Sequence, residues 1–212
     1  MRTYLFDFDG TLVDSMPTYI SVMLRILEEQ GIPYQKDIMK TITPLGYLGT
    51  ARYYKQLGVP LSEQRMVEKM HSYALAEYRD RIQAKSNVIC VLKVLKKRGD
   101  DLNVLTASPH DMLDPCLKRL GIWNLFTNVW SCEDFSMTKA DEAIYRAAAE
   151  RIGRPTEQIF FLDDNYNADR VAAQAGMKVC GVYDDSSAEF TEEIKAVSDY
   201  YIHDFLELLT LE

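Results

Sequence analysis

The chain has 212 residues, 47% hydrophobic and 26% charged, a balance that suits one large globular domain or a domain carrying a small insertion. Its formal net charge of −8 argues against a nucleic-acid backbone or an anionic membrane surface as partner, yet leaves small anions open, because a local site can be positive inside an acidic protein. No apolar run approaches the roughly 18 residues of a membrane span, and the N-terminus carries no signal pattern, so a cytoplasmic location is expected.

Residues 3–8 read as a buried strand that ends in two aspartates, Asp7 and Asp9. The pattern then turns helical. Residues 17–30 carry Ile20, Met23, Leu24 and Leu27 at helical spacing, with Pro17 in the first turn and Gly31 as a stop. "TPLGYLGT" (43–50) reads as a turn-rich loop, and residues 62–82 as a long helix with Val67, Met70, Ala74 and Tyr78 on one stripe. A further helix spans 87–98, and "LNVLT" (102–106) is a strand. "SPHDMLDPCLKRLG" (108–121) has a helix-start signature in Ser108, Pro109 and Asp111, although Pro115 lies inside it. The remaining elements are a strand at 126–130, a helix at 139–152, the apolar strand "IFFLD" at 159–163, a helix through Val171, Ala172 and Ala175, a strand at 178–183 and a short one at 200–202. The four cysteines, Cys90, Cys116, Cys132 and Cys180, are scattered without metal-ligand spacing and read as buried free thiols.

Strands alternating with helices imply an α/β fold, a doubly wound parallel sheet with right-handed crossovers. Residues 15–84 then form an all-helical insertion, and residues 1–14 with 85–212 form the sheet-bearing core. Ligands of such sheets bind beyond the carboxyl ends of the strands. Those ends carry Asp7, Asp9, Thr106, Ala107 and Ser108, and Asp163 and Asp164, while Lys139 opens the helix after the third strand. Clustered carboxylates make a hard-oxygen site suited to Mg²⁺. Hydroxyls, backbone N–H groups at 106–108 and the Lys139 ammonium make an anion cradle. A metal and an anion cradle together point to phosphoryl chemistry by positioning and charge neutralisation. Each element has a plainer use: a D-x-D as a turn, Asp163-Asp164 as a helix cap, Lys139 as a surface charge. The four segments together carry the functional reading.

"DFDGTLVDS", "VLTAS", "TKADEAIY" and "FFLDDNYNADRVAAQAGM" resemble, in order, the four motifs of the haloacid dehalogenase-like hydrolase superfamily, and the closing "YYIHDFLEL" fits as well. The resemblance covers essentially the whole chain and is strongest for phosphoglycolate phosphatases and β-phosphoglucomutases. It implies a Rossmann-like sheet with a helical cap inserted after the first strand. It also implies that Asp7 is a nucleophile forming an aspartyl-phosphate and that Asp9 is the general acid and base. Asp7, the backbone carbonyl of Asp9 and Asp164, with Asp163 beside it, would hold Mg²⁺. Thr106, Ala107 and Ser108, the last through its backbone, would bind phosphate, and an acid such as Asp169 would hold Lys139 in place. Three departures stand out: "LDD" where Gly-Asp is usual, "TKAD" for Lys-Pro-Asp, and Ser86-Asn87 in place of a glycine before the helix at 88.

The leading expectation is a Mg²⁺-dependent phosphomonoesterase acting on a small phosphorylated metabolite. Asp9 argues against a haloacid dehalogenase, which needs no acid for its leaving group. A β-phosphoglucomutase ranks lower because Tyr19 stands where that group carries a histidine, and a non-catalytic regulator binding a phosphorylated metabolite ranks lower still. Tyr19 and Tyr47 are candidates to face the phosphate when the cap closes, with packing as the plainer reading for Tyr19, Tyr53 and Tyr54.

Overall fold

The computed structural model describes residues 1–35 and 37–211. Six short strands form one sheet: β1 (Thr3–Phe6), β2 (Asp101–Thr106), β3 (Asn128–Ser131), β4 (Ile159–Asp163), β5 (Lys178–Val182) and β6 (Tyr200–Ile202). Their order is β3-β2-β1-β4-β5-β6, and every pairing is parallel. The strands are apolar because both faces are covered. Leu5, Leu105, Phe161 and Val179 pack on one face against α7 (Glu142–Ile152) and α8 (Tyr166–Gln174). On the other, Tyr4 and Phe6 stack 5.7 Å apart, and Phe6 lies 6.2 Å from Phe205. Chain order reverses between β1 and β4, and this central pair carries the acidic ends.

The chain divides into two units, Met1–Asp14 with Gln83–Glu212, and Ser15–Ile82. The second unit is helical: α1 (Met16–Glu29), α2 (Ile38–Ile42), α3 (Gly46–Gln56) and α4 (Glu63–Asp80). Its core gathers Met23, Ile26, Leu27, Ala51, Tyr54, Met66 and Met70. Ser62 caps α4 by accepting from the Arg65 N–H at 3.1 Å. Tyr54 is fully buried and donates its hydroxyl to the Met23 carbonyl at 3.2 Å, and the rings of Tyr19 and Tyr47 stack 5.3 Å apart.

Several expectations need correction. The stretch 43–50 is a 3₁₀ turn, Thr43–Leu45, followed by the start of α3, so its glycines do not keep it a loop. Thr50 is fully buried there, and its hydroxyl reaches the Ile42 carbonyl at 3.2 Å. The stripe of α4 runs through Met66, Met70, Ala74 and Tyr78, with Val67 only half-buried. The helix α5 is Val88–Lys97. The helix expected at 108–121 is α6, His110–Arg119, which begins after Pro109 and continues through Pro115. Ser108 is therefore not its cap. A last helix, α9 (Thr191–Val197), has no counterpart in the sequence reading. Cys90 is exposed, while Cys116, Cys132 and Cys180 are buried, and all four are free. No helix among the described residues is long and apolar enough to cross a membrane.

Replacing Leu27, fully buried on the inner stripe of α1, by alanine is expected to cost about 3 kcal/mol in urea unfolding, from lost transfer energy and the cavity left behind.

Candidate active site

β1 and β4 lie side by side in register, Phe6 opposite Leu162, so the residues that follow each strand emerge together. The Asp7 N–H extends the ladder by donating to the Leu162 carbonyl at 2.8 Å. Asp7 is 7% exposed, Asp163 1% and Asp164 7%. One carboxylate oxygen from each lies within 4.8 Å of the other two. Three acids this close in a buried pocket repel one another unless cations answer them.

One cation is supplied by the chain. The Lys139 ammonium donates to Asp7 Oδ1 and, at 2.8 Å, to Asp163 Oδ2. Burial works against its charge, but Asp163 and Asp7 together hold its pKa well above the ordinary value. Asp163 also accepts the Asn165 N–H on Oδ1 at 2.8 Å, so each of its oxygens has a donor within the protein. Asp164 is held differently. Thr11 Oγ1 donates to its Oδ1 at 3.1 Å, and the turn at Gly10 lies flat against it. A Cβ on Gly10 would sit 2.5 Å from Asp164 Oδ2, and the backbone there has φ +75°, so the position demands glycine on both counts.

Burial raises the Asp7 carboxyl, Lys139 pulls it back, and Asp163 and Asp9 add to the rise, for a net value of about 7. Burial likewise holds Asp164 well above the carboxylate range, with Asp163 and Asp7 contributing. A divalent cation removes this penalty directly. Asp7 and Asp164 offer hard oxygens next to a ready-made cradle, so the donor set fits Mg²⁺.

Asp9 is half-buried, and its carboxylate is not part of the three-acid cluster. Its Oδ2 accepts the Ser108 hydroxyl at 2.5 Å. Thr106, at the end of β2, is buried, and its Oγ1 accepts the Ser108 N–H at 3.1 Å. The Ser108 N–H is thus turned onto Thr106, and its hydroxyl onto Asp9. Ala107 is exposed at the tip of the same turn. Lys139 does not open a helix. It sits in the loop before α7, whose cap is Asp141, and Tyr145 of α7 donates its buried hydroxyl toward the Lys139 and Ala168 carbonyls at 3.1 Å each. Asp169 does not hold Lys139 either. It is fully buried with neither oxygen hydrogen-bonded, and burial keeps its carboxyl well above the usual range. The helix after β4 is capped by Asn165, which accepts the Asn167 and Ala168 N–H groups at 2.9 and 3.2 Å, so Asp163 and Asp164 are left to the site.

The sequence pattern of the haloacid dehalogenase-like hydrolases matches residues 4–182, which include every side chain of this cluster. The chain belongs to that family. Among curated relatives, the hydrolase is similar to pyrophosphatase PpaX of Bacillus velezensis, 27% identical over 84% of this chain and 81% of that protein. It is similar as well to a phosphoglycolate phosphatase of Haemophilus influenzae, 27% identical over 97% of this chain and 96% of that one. Among solved structures, a β-phosphoglucomutase candidate from Thermotoga maritima shares the fold of the hydrolase, with TM-score 0.85 and 21% identity over 99% of both chains.

Two outcomes follow from the electrostatics and the close approach at Gly10. A carboxyl with a raised native pKa stabilises the fold at pH values below its unfolded pKa and loses that contribution as pH rises through the native value, about 7 for Asp7. Mg²⁺ competes with those protons, so the rise in Tm caused by Mg²⁺ is expected to be larger at pH 8 than at pH 5; equal shifts would contradict this. Gly10→Ala is expected to keep the fold and to abolish Mg²⁺ binding measured by titration calorimetry.

Proposed function

We propose that this hydrolase is a Mg²⁺-dependent phosphomonoesterase of the cytoplasm, acting on a small phosphorylated metabolite through an aspartyl-phosphate on Asp7. The observation that carries the reading is the division of the acids: Asp7 is clamped by Lys139 at the centre of the cluster, while Asp9 lies outside it on Ser108. A nucleophile must be ionised and aimed, and a proton donor must stay clear of the metal.

Asp7, the backbone carbonyl of Asp9 and Asp164 would hold Mg²⁺, which when bound neutralises charge on the phosphate and the carboxylates. Lys139 spends two of its three donors on Asp7 and Asp163, which leaves a third for the phosphate. The Thr106 hydroxyl and the Ala107 N–H complete the cradle. A carboxylate oxygen of Asp7 attacks phosphorus, the P–O bond to the leaving group breaks, and Asp9 gives that alkoxide its proton. Asp9, now a carboxylate, takes a proton from a water that attacks the same phosphorus, which releases inorganic phosphate and regenerates Asp7. Asp163 acts on this chemistry through Lys139.

Hydrolysis of p-nitrophenyl phosphate and of a panel of sugar and short-chain acid phosphates tests the reading. Turnover is expected, with loss on chelation and recovery on adding Mg²⁺. Asp7→Asn is expected to fall below detection, and Asp9→Asn by about 10²–10⁴-fold, the usual range for a lost acid–base group. No turnover on any member of the panel favours a phosphometabolite-binding regulator. Transfer of the phosphoryl group within a sugar phosphate, without release of phosphate, favours the mutase.

A further inference from the structure

Lys85 follows the segment that returns the chain to the sheet-bearing unit. Its N–H donates to the Leu12 carbonyl at 3.0 Å, beside the antiparallel bridge of Val13 with Ala84. Its side chain is 19% exposed and turns inward. The ammonium donates to the Gly10 carbonyl at 2.6 Å, the Tyr183 carbonyl at 2.6 Å and Asp184 Oδ2 at 3.0 Å. All three donors are therefore engaged within the protein. Asp184 is equally engaged: its Oδ1 accepts the N–H and the hydroxyl of Ser186 at 2.9 and 2.6 Å. The pair ties the turn after β1 to the loop after β5, across the end of β4.

The turn it grips shapes the metal site. Gly10 presses its Cα against the Asp164 carboxylate, and Thr11, the next residue, hydrogen-bonds that carboxylate. We propose that Lys85 is a positioning residue for the cation site: by holding the Gly10 carbonyl it fixes the Gly10-Thr11 turn, and through that turn the place of Asp164. The proposal rests on the reading of Asp164 as a residue that holds Mg²⁺. Lys85 has no donor left for substrate, so it does not act on the reacting atoms.

Charge and position make opposite predictions, which gives a clean test. Lys85 and Asp184 both lie close enough to Asp164 to act on its charge. If Lys85 mattered only as a charge, Lys85→Met would remove a positive neighbour and Mg²⁺ would bind more tightly. If Lys85 holds the turn, Mg²⁺ binds more weakly. Titration calorimetry on purified Lys85→Met is expected to show Mg²⁺ affinity about tenfold weaker, in the range seen when supports of a metal ligand are removed. kcat with p-nitrophenyl phosphate is expected to fall by a similar factor, with KM within about twofold.

Lys85→Met leaves a buried carboxylate without its partner, and its folding is followed by circular dichroism. The double variant Lys85→Met with Asp184→Asn leaves no such charge and no change in local net charge. It is expected to fold and to retain the weakened Mg²⁺ affinity. Wild-type or tighter Mg²⁺ affinity in either folded variant would overturn the proposal. A wild-type protein that binds no Mg²⁺ would overturn the metal assignment as well, whereas a wild type that binds Mg²⁺ but hydrolyses nothing would sink the proposed function alone.

Discussion

The salt bridge from Lys139 to Asp7 and Asp163 is the contact on which the site depends. Three carboxylates meet at the end of β1 and β4 because a parallel register sets the two strand ends level. Each lies under 10% exposed, where an unpaired charge is costly. One ammonium between two of them recovers part of that cost. The remaining imbalance is what fits the pocket to a cation: Asp7 and Asp164 both have carboxyls raised by burial, a cost that a bound metal would relieve. Stability and function therefore pull in opposite directions, as is common where groups are held ready for chemistry.

The sheet supports this by topology more than by local detail. Reversal of strand order between β1 and β4 opens a crevice at their carboxyl ends, and the candidate site residues lie at the strand ends and in the loops around it. Each loop is then tied internally. Asn165 caps α8 and frees the aspartates before it. Asp141 caps α7 and leaves Lys139 in a loop, from which its long side chain reaches the cluster. Tyr145 anchors that loop from within the core, packing edge-on against Phe161 at 5.1 Å.

Much of this was legible in the sequence. The first strand and "IFFLD" at 159–163 read as near-continuous apolar runs ending in acid, the latter over its full span, and the converging acids are legible from those ends. What was not legible depends on contacts between distant segments. The resemblance gives Lys139 to an acid such as Asp169, whereas the parallel register of β4 and β1 sets Asp163 beside Asp7, and Lys139 bonds that pair. Ser108 looks like a helix cap, but the helix begins after Pro109, and the Ser108 hydroxyl donates to Asp9 instead. Thr11 reads as a turn residue, and its bond to Asp164 spans 153 positions. Residues 43–50 carry loop-forming glycines, yet α3 begins there and buries Thr50 and Ala51 in the core of the helical unit.

The central claim is that Asp7 carries the phosphoryl group during turnover. Acid-quenching the enzyme during steady-state hydrolysis of a phosphorus-labelled ester, followed by peptide mass spectrometry, tests it most directly. The account predicts hydroxylamine-labile phosphate on the peptide that contains Asp7. Turnover with no label on that peptide, or label on another residue, would contradict it.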